Sequence, residues 1–122
     1  MREYEVHVRR ALAAYRAFKI LRAEGLMEDA ASRGYYAILH LCNALLLKHG
    51  EDLPRTHSGL IAKLWILREK LSLDKETVSD IARAQSIRER GDYGVVPTIT
   101  EDDLDFMENL ILRLRGKLDE RE

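Results

Sequence analysis

Apolar residues in this chain recur every three to four positions, the period of helices with one buried face, and no segment alternates as a half-buried strand would. Tyr4, Val8, Ala11, Tyr15 and Phe18 fall on one seam, widened by Leu12 and Leu21, and predict a first helix from Glu3 to Glu24. Gly25 is its expected stop, because glycine takes the left-handed turn after a helix at little cost. A second helix is predicted from Glu28 to His49, closed by Gly50. Its middle runs Ala37, Ile38, Leu39, Leu41, Cys42, Ala44, Leu45, Leu46, Leu47 and is apolar almost all the way round. Such a helix is either central in its own fold or shared with another subunit.

The stretch from Glu51 to His57 contains Pro54 and reads as a loop. A third helix follows, with Leu60, Leu64, Leu67 and Leu71 on its seam and Ile61 and Trp65 beside it. Ser72 to Asp74 makes the next break, and Asp74 suits the N-cap of a fourth helix. That helix is apolar only in its first half (Val78, Ile81, Ala82), polar from Gln85 to Arg90, and expected to end at Gly91. After a loop from Gly94 to Pro97, Thr100 caps a fifth helix whose seam is Leu104, Met107, Ile111, Leu114 and Leu118. Asp102, Asp103 and Asp105 stand in its first turns, where carboxylates suit the positive end of the helix dipole. The expectation is an all-α fold, an up-and-down bundle of four to five antiparallel helices joined by short breaks.

Composition narrows the function classes. With 122 residues, 46% of them hydrophobic and 34% charged, the chain suits one domain over residues 1–122 with a real core. The net charge is −1, so affinity for nucleic acid has to come from a local cluster of Arg and Lys rather than from the whole surface. A lone cysteine, Cys42, excludes an internal disulfide and fits a reducing compartment. Arg2, Glu3, Glu5, Arg9 and Arg10 charge the start, which argues against a signal peptide. The longest apolar run, Ala37 to Leu47, is broken by His40 and Asn43 and is too short to span a bilayer. A cytoplasmic protein without membrane contact is expected.

Candidate chemistry concentrates in two places. Within the greasy second helix, Arg33, Tyr36, His40 and Asn43 form a polar set. At 100° and 1.5 Å per residue, Arg33 and His40 differ by about 20° in direction and about 10 Å along the axis. An unpaired buried Arg costs several kcal/mol, so this stripe needs partners, solvent or a ligand. Either Arg33 pairs with a carboxylate such as Asp92 while His40 hydrogen-bonds quietly inside, or the stripe faces a ligand. The second place is the end of the fourth helix, where Arg83, Arg88, Arg90, Asp92 and Tyr93 gather. There the alternatives are a solvated charged helix end and a basic site, with Asp92 expected to pair with Arg33, Arg88 or Arg90.

Three segments resemble the landmarks of small prokaryotic HEPN proteins. They are Ala31-Ser32-Arg33-Gly34-Tyr35-Tyr36-Ala37-Ile38-Leu39-His40, then Thr56-His57-Ser58-Gly59-Leu60, then Arg88-Glu89-Arg90-Gly91-Asp92-Tyr93. The resemblance covers about residues 3 to 118. It implies a bundle of four or five helices that forms symmetric homodimers and binds nucleotide or RNA, often beside a minimal nucleotidyltransferase in a toxin–antitoxin pair. It further implies metal-independent RNA cleavage by an Arg and a His four to six residues apart. Arg33 and His40 satisfy that spacing and are the candidate catalytic pair, with Tyr36, Asn43, Arg88, Arg90, Asp92 and Tyr93 as candidate nucleotide- or RNA-binding residues. Arg2 and His7 fit the same spacing but point about 140° apart on their helix. The chain departs from the family pattern in three ways: Cys42 stands where a Tyr often follows two positions after the His, Gly91 replaces Ala, and the helix-four landmark carries no His.

The chemistry is physically coherent. Cleaving RNA without a metal needs a proton acceptor for the 2′-hydroxyl and a cation beside the phosphorus oxygens. An imidazole and a guanidinium supply both. A two-fold axis at the second helix would bring two histidines to one site and cover its apolar sides. His49 and His57 flank one loop but two ligands do not make a zinc site, and neither a metal nor a cofactor is expected. The alternative to a nuclease is a non-catalytic dimeric module that binds a nucleotidyltransferase.

Overall fold

The structure, a computed structural model, describes residues 2–94 and 98–119. The described residues form five helices and no strand: α1 (Glu3–Ala23), α2 (Met27–Lys48), α3 (His57–Ile66), α4 (Lys75–Tyr93) and α5 (Glu101–Asp119). The all-α bundle read from the periodicity is the fold. Gly25 and Gly50 take positive φ angles of 77° and 79° where the first two helices stop, as their backbone freedom predicted. The Asp74 carboxylate accepts from the Thr77 amide at 2.7 Å. At the head of α5, the Thr100 hydroxyl accepts from the Asp103 amide while the Asp103 carboxylate accepts from the Thr100 amide, a reciprocal cap.

Of the two roles open to α2, the structure selects the central one. It packs against α1, α4 and α5, and Ala37, Ile38, Leu41, Cys42, Ala44, Leu45 and Leu46 are all buried within one chain. Burial of this helix therefore requires no second subunit, and the apolar middle gives no reason to place a dimer axis there. The α1–α2 contact is tight because Gly34 has no side chain. A Cβ built there would lie 2.9 Å from the Phe18 ring and 3.3 Å from the Met107 methyl, which lets Phe18 and Met107 close over the bare backbone. Arg22 ties α1 to the start of α5 through Glu101 and Asp105.

Two boundaries differ from expectation. The fourth helix does not end at Gly91 but continues to Tyr93 and leaves helical geometry at Gly94. An i,i+4 ion pair from Arg88 to Asp92 spans the glycine, and Ile99 lies beside it, 3.4 Å from where a Cβ would stand, an ordinary packing distance. The third helix ends at Ile66, so Leu67 and Leu71 of the expected seam belong to the turns that follow. Leu71 is nevertheless fully buried. Of the predicted loop at 94–97, residues 95–97 lie outside the described residues. Among the described residues, no helix is long and apolar enough to cross a membrane.

Candidate functional site

The open face of α2 carries Ser32, Arg33, Tyr36, Leu39 and Asn43, the positions that α1, α4 and α5 leave uncovered. Where this face meets the first residue of α3 and the last turns of α4, a pocket of about 340 Å³ opens. Its walls include Arg33, Tyr35, Tyr36, Leu39, His57 and Arg88. The Arg33 guanidinium reaches over the Tyr36 ring, 5.6 Å from its centroid, and that ring is 41% exposed. Arg88 lies over the opposite aromatic wall, 5.5 Å from the Tyr35 centroid. Its Nε is held by Asp92 at 3.2 Å, which orients the fork while its terminal amino groups find no hydrogen-bond partner among the described residues. Two guanidinium groups from different helices thus converge on one opening between aromatic faces.

The pocket floor holds a hydrogen-bonded pair. The Tyr35 hydroxyl and His57 Nδ1 are 2.8 Å apart. Burial, with the Cys42 thiol beside it, pushes the Tyr35 phenol up to about 12 despite the pull of Arg88, so it stays protonated at neutral pH. The donor in this pair follows the His57 tautomer: a phenol donating to Nδ1 leaves the ring proton on Nε2, and a proton on Nδ1 is donated to the phenol oxygen. His57 opens α3, and its backbone is set by Thr56, whose hydroxyl accepts from the Gly59 amide at 2.9 Å.

His40 is not part of this opening. It is 5% exposed and faces α1, where its Nδ1 is 2.8 Å from His7 Nδ1. Tyr36 covers its edge with ring centroids 4.4 Å apart, and its Nε2 is buried with no hydrogen-bond partner among the described residues. Burial, followed by the nearby His7 and Arg10, lowers the His40 pKa to about 4. Burial and Arg10 also lower His7, against the opposing pull of Glu3. At neutral pH the two rings are therefore neutral, one donating and the other accepting. Arg33 and His40, a close pair on the helical wheel, line different surroundings.

The remaining sequence candidates divide. Asn43 lines a neighbouring pocket with Pro54, Arg55 and Thr56. Asp92 pairs with Arg88, one of its three expected partners. Arg90 turns away from the pocket to Asp103 and the Thr98 carbonyl. There burial pushes the Asp103 carboxyl up, but the Thr100 contacts and Arg90 outweigh it and hold it below the usual range. Tyr93 is 82% exposed at the end of α4. Sequence reasoning left His57 and Tyr35 out of the site, although both stand in the segments that carried the family resemblance. Their signal was present in those landmarks; what was absent was the knowledge that the loop brings His57 back over α2. His7, which shares the Arg–His spacing with Arg2 but points away from it, is the partner of His40.

Comparison with known proteins agrees with the geometry. The chain is 36% identical over 102 residues to a UPF0332 protein of Archaeoglobus fulgidus, covering 84% of this chain and 81% of that one. It is 39% identical over 59 residues to a UPF0332 protein of Pyrococcus horikoshii, covering 48% and 41% respectively. It also matches the HEPN domain family over residues 4–116. A five-helix bundle with the three landmark segments gathered at one pocket, matched along almost its whole length, belongs to the HEPN family.

Proposed function

We propose that the pocket between α2, α3 and α4 binds the phosphate-bearing part of a nucleotide or of RNA. The observation that carries this reading is the convergence of Arg33 and Arg88 on one opening flanked by the exposed Tyr36 ring. Guanidinium forks match phosphate oxygens, and an exposed aromatic face offers a platform for a base. With a net charge of −1 overall, attraction to a polyanion depends on such a local site. Calorimetric titration with AMP and with a short single-stranded RNA tests it. Arg33→Ala and Arg88→Ala are each expected to weaken binding about tenfold or more, the usual worth of a charge-assisted hydrogen bond. Unchanged affinity in both variants would refute the assignment.

RNA cleavage, as the toxin half of a nucleotidyltransferase pair, is the stronger form of the same reading. In that form Arg33 and Arg88 steady charge on the phosphorus oxygens. His57, oriented by Tyr35, moves the proton in place of His40, because His40 is enclosed against His7 while His57 lines the opening. A nuclease assay in chelator distinguishes the two histidines: His57→Ala should abolish cutting, and His40→Ala should leave residual cutting in whatever fraction remains folded. Loss of cutting only in a folded His40→Ala protein would return the role to His40.

A further inference from the structure

We propose that the outer face of α3 is a docking surface for an acidic amphipathic helix of a partner protein. α3 packs mainly against α4, and of its ten residues only Leu60 and Leu64 are buried. Its outer side carries Ala62, Trp65 and Ile66, which share one face because they stand three and four residues apart. Trp65 is 42% exposed and Ile66 77%. A lone exposed apolar residue is ordinary. A tryptophan and an isoleucine side by side on the least covered helix make a patch that calls for a partner.

Charge at the rim of this ridge says what the partner carries. The Arg68 guanidinium lies 4.5 Å from the Trp65 centroid and donates a 2.7 Å hydrogen bond to the Trp65 carbonyl. Lys75 Nζ lies 5.9 Å from the same ring. Lys63 and Lys70 are already met by Glu51, and the Asp74 carboxylate is engaged in capping α4. Arg68 and Lys75 have no carboxylate partner among the described residues, and of the carboxylates within 61–75 only Glu69 is left to oppose them. A Trp with an Arg stacked on it has the composition of an interface hot spot. The cations beside it select acidic side chains. Pairing this face with itself in a second copy would set Arg68 and Lys75 against their own kind. Two cations also fall short of the roughly four or more that mark an anionic lipid surface. A helix whose apolar stripe is bordered by Asp and Glu satisfies both the ridge and its rim, lying beside α3.

Trp65 is the chain's single tryptophan, so its emission reports on this face alone. The intact protein is titrated with two synthetic, tryptophan-free helical peptides that share one leucine stripe, flanked by glutamates in one and by lysines in the other. The glutamate peptide is expected to shift the emission to the blue and shield it from acrylamide, saturably. It should bind about tenfold or more tighter than the lysine peptide. Ile66→Ser, a change at an exposed position that leaves the fold intact, should weaken that binding about tenfold. Arg68→Glu and Lys75→Glu should each erase the preference between the peptides. The Lys75 variant keeps its stability, because a carboxylate suits the first turn of α4. Equal affinity for the two peptides, or binding that Ile66→Ser leaves unchanged, would overturn the proposal. A blue shift caused by phosphatidylserine vesicles and not by the glutamate peptide would overturn it in favour of a membrane. One caused by raising the protein concentration alone would overturn it in favour of a second copy. No response to any of these probes overturns it as well. Because every readout is at Trp65, failure of nucleotide or RNA binding at the other pocket leaves this test unaffected.

Discussion

Arg33 and His40 lie on nearly the same line of α2, yet one faces an open pocket and the other is sealed. At the level of His40, α1 presents His7, and the two Nδ1 atoms pair at 2.8 Å while His40 Nε2 stays buried with no hydrogen-bond partner among the described residues. About two turns away, Arg33 extends over the Tyr36 ring and the α3–α4 side stays open. Direction on a helical wheel decides which residues are neighbours on one helix; it does not decide what the next helix sets opposite them. The same stripe therefore holds a structural pair at one end and a ligand pocket at the other.

The largest expected effect that could break this comparison is the response to acid. His40 has its folded-state pKa lowered from 6.5 to about 4, so between those values the unfolded chain binds more protons than the folded one. Stability should be level above pH 6.5 and fall as the pH drops from 6.5 to 4, by roughly 3 kcal/mol for a shift of this size. Urea melts at pH 7.5, 6, 5 and 4 measure it; a flat profile across that window would mean that His40 reaches water.

Next in size is His40→Ala. Removing a buried ring that partners His7 should cost about 2 kcal/mol through the cavity and the orphaned imidazole. It should also flatten the acid response, because its main source is gone. A variant with wild-type stability at pH 7.5 would place His40 in a cleft rather than in the interior.

Gly34→Ala probes the contact that holds the stripe against α1. Its new methyl would meet Phe18 at 2.9 Å, and the expected loss is about 1–3 kcal/mol from overpacking, read as a lowered denaturation midpoint. No loss would show that Phe18 moves aside freely.

The smallest stability effect belongs to the pocket. Arg33→Ala should change the folding free energy by no more than about 0.5 kcal/mol, since Arg33 is exposed and makes no ion pair among the described residues, even while it weakens ligand binding. If Arg33→Ala melts the protein as His40→Ala does, the division between interior pair and open pocket disappears.

Local chemistry in the sequence determined the helices, most of their stops and caps, and the central place open to α2, because periodicity, glycine φ preference and Asp or Thr caps act within a few residues. It also marked Arg33, Tyr36 and Arg88, which line the pocket, and Asp92, which orients Arg88. Only the tertiary structure decided that α2 is covered inside one chain, that the fourth helix runs on through Gly91 to Tyr93, and that His57 joins the pocket. The pairing of His7 with His40 likewise links residues 33 positions apart. Such contacts depend on which faces of separate helices meet, a property of packing that no local spacing encodes.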